Sequence, residues 1–281
     1  VAVAERPRVA LGLGAEPAAV AAAVPILASG VVEALEWSFD TCWRPLAPVA
    51  DLLDHYGRAD VLYGHGVTGS LFSGRWTARQ EAWLACLADE VRARRYRHVT
   101  EHEGFVTAGD RTDGAPLPVP LTPGVVRVGV ERLQRLRDVA GVVVGLENLA
   151  FAFSDRDVDQ QGDLLDAVLA PVDGILLLDL HNLWCRAVNF GRDPVRLLER
   201  LPLSRAREIH LSGGSWDDGF RRDTHDGPVP DDVFALLPEA LARCPQVEVV
   251  VVERVGPSLG TDVARSELAR DVARVAEVVG A

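Results

Sequence analysis

Eight short stretches of the chain read as strands, most of them rich in apolar residues and the fourth weak, spaced by roughly one strand-plus-helix unit. They are residues 8–14, 31–38, 60–66, 98–102, 141–148, 174–182, 207–212 and 247–253. The sixth is the plainest, with Ile175, Leu176, Leu177 and Leu178 together after Gly174. Such a run bounded by glycine predicts a strand buried on both faces, as in a parallel sheet. Between the runs, apolar residues recur at helical spacing over 76–95, 125–139, 163–169, 194–201, 231–242 and 262–279. Residues 18–32 read as a helix leading into the second strand. Pro123 and Pro194 stand where helices should begin. Regular alternation predicts an α/β fold with a parallel sheet. Eight units predict a single (β/α)8 TIM barrel, one domain over residues 1–281.

The polar residues are placed unevenly on this frame. Helix-to-strand connections are short, whereas 103–122, 149–161 and 213–230 are long strand-to-helix loops. In a barrel such loops form the mouth at the C-terminal ends of the strands. The strands end in Glu36, His65, Glu101 and His102, Glu147 and Asn148, Asp179 with His181 and Asn182, His210, and Glu253. The loop after the seventh strand adds Asp223 and His225. Each alone has a plain structural reading: a hydrogen-bonded histidine, an arginine partner, a turn former. Their convergence on one mouth points instead to metal. Imidazoles and carboxylates without thiolates suit iron, manganese or zinc. The set exceeds what one ion needs, so two or three bridged metals are expected. His55 and His98 lie outside it.

Composition narrows the chemistry. The net charge is −12, which argues against a nucleic-acid partner; all 29 basic residues are arginine, a usage that reflects a GC-rich genome rather than function. Cys42, Cys86, Cys185 and Cys244 lie far apart, so neither a thiolate zinc site nor a disulfide scaffold is expected, and a reducing cytoplasm fits. No secretory pattern and no membrane span are evident. Dinucleotide, P-loop and nucleophile-elbow motifs are missing. Trp37, Trp43, Trp184 and Trp216 either line a substrate cleft or cap the core. Arg221, Arg222 and Arg254 either hold a substrate anion or balance charge.

The ordered set His65, His102, Glu147, Asp179, Asn182, His210, Asp223, His225 and Glu253 resembles the multinuclear non-heme iron-dependent oxidative enzymes of methanobactin and 3-thiaglutamate biosynthesis, within the xylose isomerase-like superfamily. The carrying strings are HGVTGSL at His65, EHEGF at Glu101, LEN at Glu147, LLLDLHNLW and AVNFG from Leu176, IHLSG at Ile209, DTHDGPVP at Asp223 and VVER at Val251. The resemblance implies those nine residues as ligands of two or three irons; Glu147 and Asp179 are catalytic candidates, and so is His181, read from its place between Asp179 and Asn182 as an extra ligand, a donor to a ligand or a substrate contact. It also implies dioxygen, a ribosomally made precursor peptide modified at a cysteine, and in many members a separate peptide-presenting partner protein. This chain departs from the family pattern in three places. Ser212-Gly213-Gly214 replaces Ala-Gly-His, Val255 replaces an acidic residue, and His181 replaces an asparagine. Endonuclease IV-like and sugar isomerase-like metal enzymes share the expected architecture. A barrel binding metal or peptide without turnover is the non-enzymatic alternative.

Overall fold

The computed structural model describes residues 6–108 and 111–280. In chain order the strands and helices are β1 (Arg8–Leu13), α1 (Pro17–Ala28), β2 (Ala34–Trp37), α2 (Ala47–Arg58), β3 (Leu62–Gly66), α3 (Ala78–Ala93) and β4 (His98–His102). Next come β5 (Phe105–Ala108), β6 (Arg111–Leu117), α4 (Pro123–Ala140), β7 (Val143–Glu147), α5 (Asp155–Leu169), β8 (Ile175–Asp179), α6 (Leu180–Asn189) and α7 (Pro194–Leu198). The chain finishes with β9 (Ala206–Leu211), β10 (Trp216–Asp217), β11 (Phe220–Arg221), α8 (Asp231–Arg243), β12 (Val249–Val252) and α9 (Asp262–Gly280). Eight strands close into a parallel barrel in the order β1-β12-β9-β8-β7-β4-β3-β2. The eight-unit barrel expected from the apolar runs is therefore the fold.

The barrel's outer face packs on the helices through Leu11, Leu35, Val99, Leu146, Leu176, Leu178, Ile209 and Val250, all buried. Each such leucine contributes roughly 1.5–3 kcal/mol of burial. The interior is different. A small apolar cluster of Ala10, Ala34, Tyr63, Val249 and Val251 fills part of it. Polar side chains fill much of the remainder, because strand period two turns Asp179 to the same side as Leu177, and His210 to the same side as Glu208. Register then aligns the polar ends: His102 lies opposite Glu147, and Asp179 opposite His210.

Helix starts are well specified. Thr77 and Gln80 form a capping box on α3, Thr122 caps α4 ahead of Pro123, and Ser154 caps α5. Gly141 closes α4 at φ 66°, a conformation glycine adopts without steric cost.

Three expectations about local structure are corrected. The sixth strand ends at Asp179, and residues from Leu180 onward are helical, because the Asp179 carboxylate caps α6 by accepting the Asn182 N–H at 2.6 Å. Strand alternation therefore says nothing about His181. The 149–161 loop is shorter than expected, since the Ser154 cap starts α5 at Asp155. The other two long loops carry small hairpins, β5–β6 and β10–β11. Among the described residues, no helix is long and apolar enough to cross a membrane.

Candidate metal centre

Three groups of side chains meet at the mouth. Single donor atoms of His65, His102 and Glu147 lie within 4.8 Å of one another; so do those of Glu147, Asp179 and His210, and those of Asp179, His225 and Glu253. Glu147 is shared by the first two groups and Asp179 by the last two. The arrangement is a chain of three clusters linked by two carboxylates, each with two oxygens to divide between neighbours.

Backbone geometry explains the convergence. β3 delivers His65, β4 delivers His102, β7 delivers Glu147, β8 delivers Asp179 and β9 delivers His210. Asn148 ties β7 to β8: its Nδ2 donates to the Asp179 carbonyl, and its Oδ1 accepts the Asp179 N–H, both at 2.9 Å. Asn182, in the first turn of α6, donates from Nδ2 to Glu147 Oε1 at 2.9 Å and to the Asn148 carbonyl at 3.0 Å. Asp223 and His225 come from the loop beyond β11 and lie 2.9 Å apart. His65 and Glu147 are deeply buried, whereas the Asp223 and His225 side chains are 22% and 21% exposed. Access from solvent is therefore from the Asp223 side.

Several buried donor atoms have no protein partner. At the clusters they are Asp179 Oδ2, Asn182 Oδ1 and His210 Nδ1, with Glu36 Oε1 and Glu208 Oε1 unpartnered below them. Buried polar atoms are almost always paired, so their convergence fits a cation that would complete them. His210 Nδ1 does approach Glu253 Oε2 at 2.8 Å, but it is not directed as a hydrogen bond. Two lone-pair-bearing atoms that close suit a shared ion.

The electrostatics agree. Burial pulls the His65 pKa down, but the hydrogen bond and charge of Glu147 outweigh it and raise it to about 9. Burial opposes ionisation of Glu253, yet His210 and His225 bring it down to about 2. Asp223 is held low by His225 and His181 against its burial. Asp179 is the exception. Burial raises it well above the ordinary range, and the charges of Asp223 and Glu147 raise it further. A cation would gain most there.

The ring nitrogens of His65 and His210 turned away from the clusters are engaged, that of His210 by Glu36. His65 Nδ1 sits 2.9 Å from Thr100 Oγ1, whose hydroxyl faces the Gly64 carbonyl, leaving Nε2 toward Glu147. His181 joins none of the three clusters. Its Nδ1 is 2.9 Å from Asp223 Oδ1, and its Nε2 is 3.3 Å from Arg221 Nη2. Arginine can only donate, so Nε2 accepts and Nδ1–H donates to Asp223. His181 thus orients Asp223. Two of the departures noted in the sequence also meet here: a Cβ on Gly214 would collide with the Arg222 carbonyl oxygen and lie 3.0 Å from His181 Cε1, so the loop backbone closes the space first and His181 narrows it further.

Of the other sequence candidates, Trp37 is a buried core residue and Trp43 packs against Phe39 and Trp83. Trp184 and Trp216 flank the Arg221 guanidinium, and Trp216 is exposed near the mouth. Arg222 pairs with Asp217, and Arg254 with Glu267. Glu101 turns aside to accept the backbone N–H groups of Ser70 and His102. Two polar residues escaped the sequence reading. His98 and Glu208 lie inside the barrel with Nε2 and Oε2 2.8 Å apart, next to Glu36 and His210. Their signal was the alternation His98–Thr100–His102 and Glu208–His210, which points one way along each strand.

Comparison with known proteins places this geometry. The family model described as RiPP precursor modification enzyme MbnB/TglH/ChrH matches residues 12–277. A UPF0276 protein of Anaeromyxobacter sp. is 31% identical over 231 residues, covering 82% of this chain and 80% of the relative. UPF0276 proteins of Acaryochloris marina and Streptomyces avermitilis are each 32% identical, over 55% and 68% of this chain. The chain spans 56% and 41% of the lengths of those two relatives. Among solved structures, the IolI protein with a bound zinc atom superposes with a TM-score of 0.65 at 14% identity, over 97% of this chain and 98% of that one. Endonuclease IV of Thermus thermophilus gives 0.61 at 20% identity, over 96% and 100%. These two likenesses share the barrel. The chain belongs to the MbnB/TglH/ChrH family of enzymes that modify RiPP precursors, the ribosomally made peptides altered after translation.

Proposed function

We propose that this protein is a multinuclear non-heme iron enzyme that uses dioxygen to modify a ribosomally made precursor peptide, at a cysteine. The observation that carries the reading is the chain of three clusters joined through Glu147 and Asp179. In it His65, His102 and Glu147 would hold one ion, Glu147, Asp179 and His210 a second, and Asp179, His225 and Glu253 a third. Asn182 Oδ1 and the Asp223 carboxylate would complete the set, giving two or three irons in all. Bound iron would supply one-electron chemistry with dioxygen; zinc or manganese is the alternative occupant. The donors fit that group, since imidazole and carboxylate surround it and all four cysteines stand outside the three clusters.

The protein's own part is positional. Glu147 and Asp179, each shared by two clusters, would hold neighbouring ions. His181 holds Asp223 in place from behind. The open side lies by Asp223 and His225, below the exposed aromatic residues Trp216 and Phe220 of the β10–β11 hairpin. A peptide would enter there, presented by a separate partner protein. The chain would work as one domain, in the cytoplasm.

Anaerobic purification with metal analysis tests the proposal. Iron at two or three per chain, with dioxygen uptake that depends on a cysteine-bearing precursor peptide, is the expected result. Stoichiometric zinc with no activation by iron overturns it. So does zinc-dependent cleavage of an abasic-site duplex that is lost in His65→Ala.

A further inference from the structure

Below the mouth the barrel interior holds a second polar layer that meets the three clusters only through His210. It consists of Glu36 from β2, His98 from β4, and Glu208 and His210 from β9, all buried. Strands β2 and β9 are separated in the barrel by β1 and β12, so Glu36 reaches His210 across the interior. Gly12 on β1 leaves the room: a Cβ there would lie 2.9 Å from Glu253 Cγ and 3.5 Å from Glu36 Oε1. A carboxylate in such a place is costly unless it is paired.

The pairing is specific. Glu36 Oε2 lies 3.0 Å from His210 Nε2 in hydrogen-bond geometry. Glu208 Oε1 is further from the same nitrogen, at 3.7 Å, and Glu208 Oε2 is committed to His98 Nε2 at 2.8 Å. The opposite ring nitrogen, His210 Nδ1, has no hydrogen-bond partner. Glu36 Oε1 and Glu208 Oε1 have no hydrogen-bond partner, and Glu36, Glu208 and His210 lie close enough to hold a cation themselves; the hydrogen bonds that are made, Glu36 Oε2 with His210 Nε2 and Glu208 Oε2 with His98 Nε2, tie the layer to the centre above through His210.

We infer that Glu36 is a positioning residue: it accepts the Nε2–H of His210 and so presents the Nδ1 lone pair to the metal centre, with Glu208 and His98 bracing it from below. The inference rests on the metal-binding reading given above. A buried acceptor behind a ligating histidine fixes its tautomer and ring orientation, and losing one typically costs 10–100-fold in metal affinity. Glu36→Gln keeps an acceptor, whereas Glu36→Leu removes it.

The test is anaerobic titration of the purified protein with Fe2+ and, separately, Zn2+ against a competing chelator, with dichroism of each variant as the folding control. Glu36→Leu should lose about 10–100-fold in affinity at one position, and the position built on His65, His102 and Glu147 should be retained. Glu36→Gln should stay within a few-fold of the wild type. Equal binding by Glu36→Leu, or an equal loss in Glu36→Gln, overturns the inference while leaving the metal reading intact. A wild type that binds neither metal defeats the reading itself. A second measurement needs no variant. In zinc-loaded wild type with 15N-labelled histidine, the long-range couplings of His210 should show Nε2 protonated and Nδ1 metal-bound; the opposite tautomer overturns the inference.

Discussion

Asp179 has two separable tasks, and substitution can pull them apart. Its Oδ1 caps α6, and its Oδ2 has no protein partner and faces the clusters. Asp179→Asn keeps the cap, since asparagine and aspartate cap equally well. It removes a buried negative charge set between Asp223 and Glu147, whose repulsion adds to the cost of burial. Without metal, the Asn variant should therefore melt at or above the wild type. Asp179→Ala loses the cap as well, worth about 1 kcal/mol, and should melt about 2 °C below the Asn variant for a chain of this length. With metal the order inverts. An ion at a hundred times its dissociation constant stabilises the folded state by about 2.7 kcal/mol, or about 5 °C. Both variants should lose the ions that Asp179 is proposed to hold, so the wild type should overtake them. The assay is a pair of thermal melts, one in chelator and one in anaerobic Fe2+. An Asn variant less stable than the wild type in chelator, or one keeping the full metal-induced shift, refutes the reasoning.

Other expectations follow from the same structure. Asp40 accepts from the Val67 and Thr68 N–H groups, the Thr68 hydroxyl and Trp83 Nε1, fixing the loop that follows His65. Asp40→Ala leaves those donors unpaired and should cost about 3 kcal/mol by urea denaturation. Burial raises the Asp271 pKa from 3.8 to about 6, against the Val229 N–H that its carboxylate accepts. Because the folded pKa lies above the unfolded one, this stabilisation is complete below about pH 4 and lost as pH rises to about 6. Asp271→Asn should flatten that part of the melting-temperature profile, and an unchanged slope assigns it to another group. Gly214→His would press on His181 Cε1 and on the Arg222 carbonyl. His181→Asn should offset part of that damage, with a coupling of about 1 kcal/mol in a double-mutant cycle. Strict additivity would show that the two positions do not share space.

The barrel was legible because strands buried on both faces must be apolar nearly throughout, and runs such as Ile175–Leu178 have few other uses. The polar strand ends stood out against that background, and the chain brings them together at one mouth. Three things were hidden, each for a physical reason. His181 was placed on a strand, but the Asp179 cap turns the chain helical one residue earlier, and which backbone N–H a carboxylate accepts is a property of the folded chain. Glu208 was not singled out in the sequence, because its burial depends on a partner, His98, 110 residues away. The clearance given by Gly12 to Glu36 and Glu253 likewise needs three strands in register before it has meaning. Local periodicity reports which face is apolar. It does not report which polar groups meet inside a closed barrel.

The central claim is that Glu147 and Asp179 join adjacent metal positions, and counting metal per chain tests it most directly. Elemental analysis of anaerobically iron-loaded protein should give two or three irons for the wild type. It should show a coordinated loss of more than one ion in Asp179→Asn. A single ion per chain in the wild type, or the loss of only one ion when Asp179 is changed, would contradict the account.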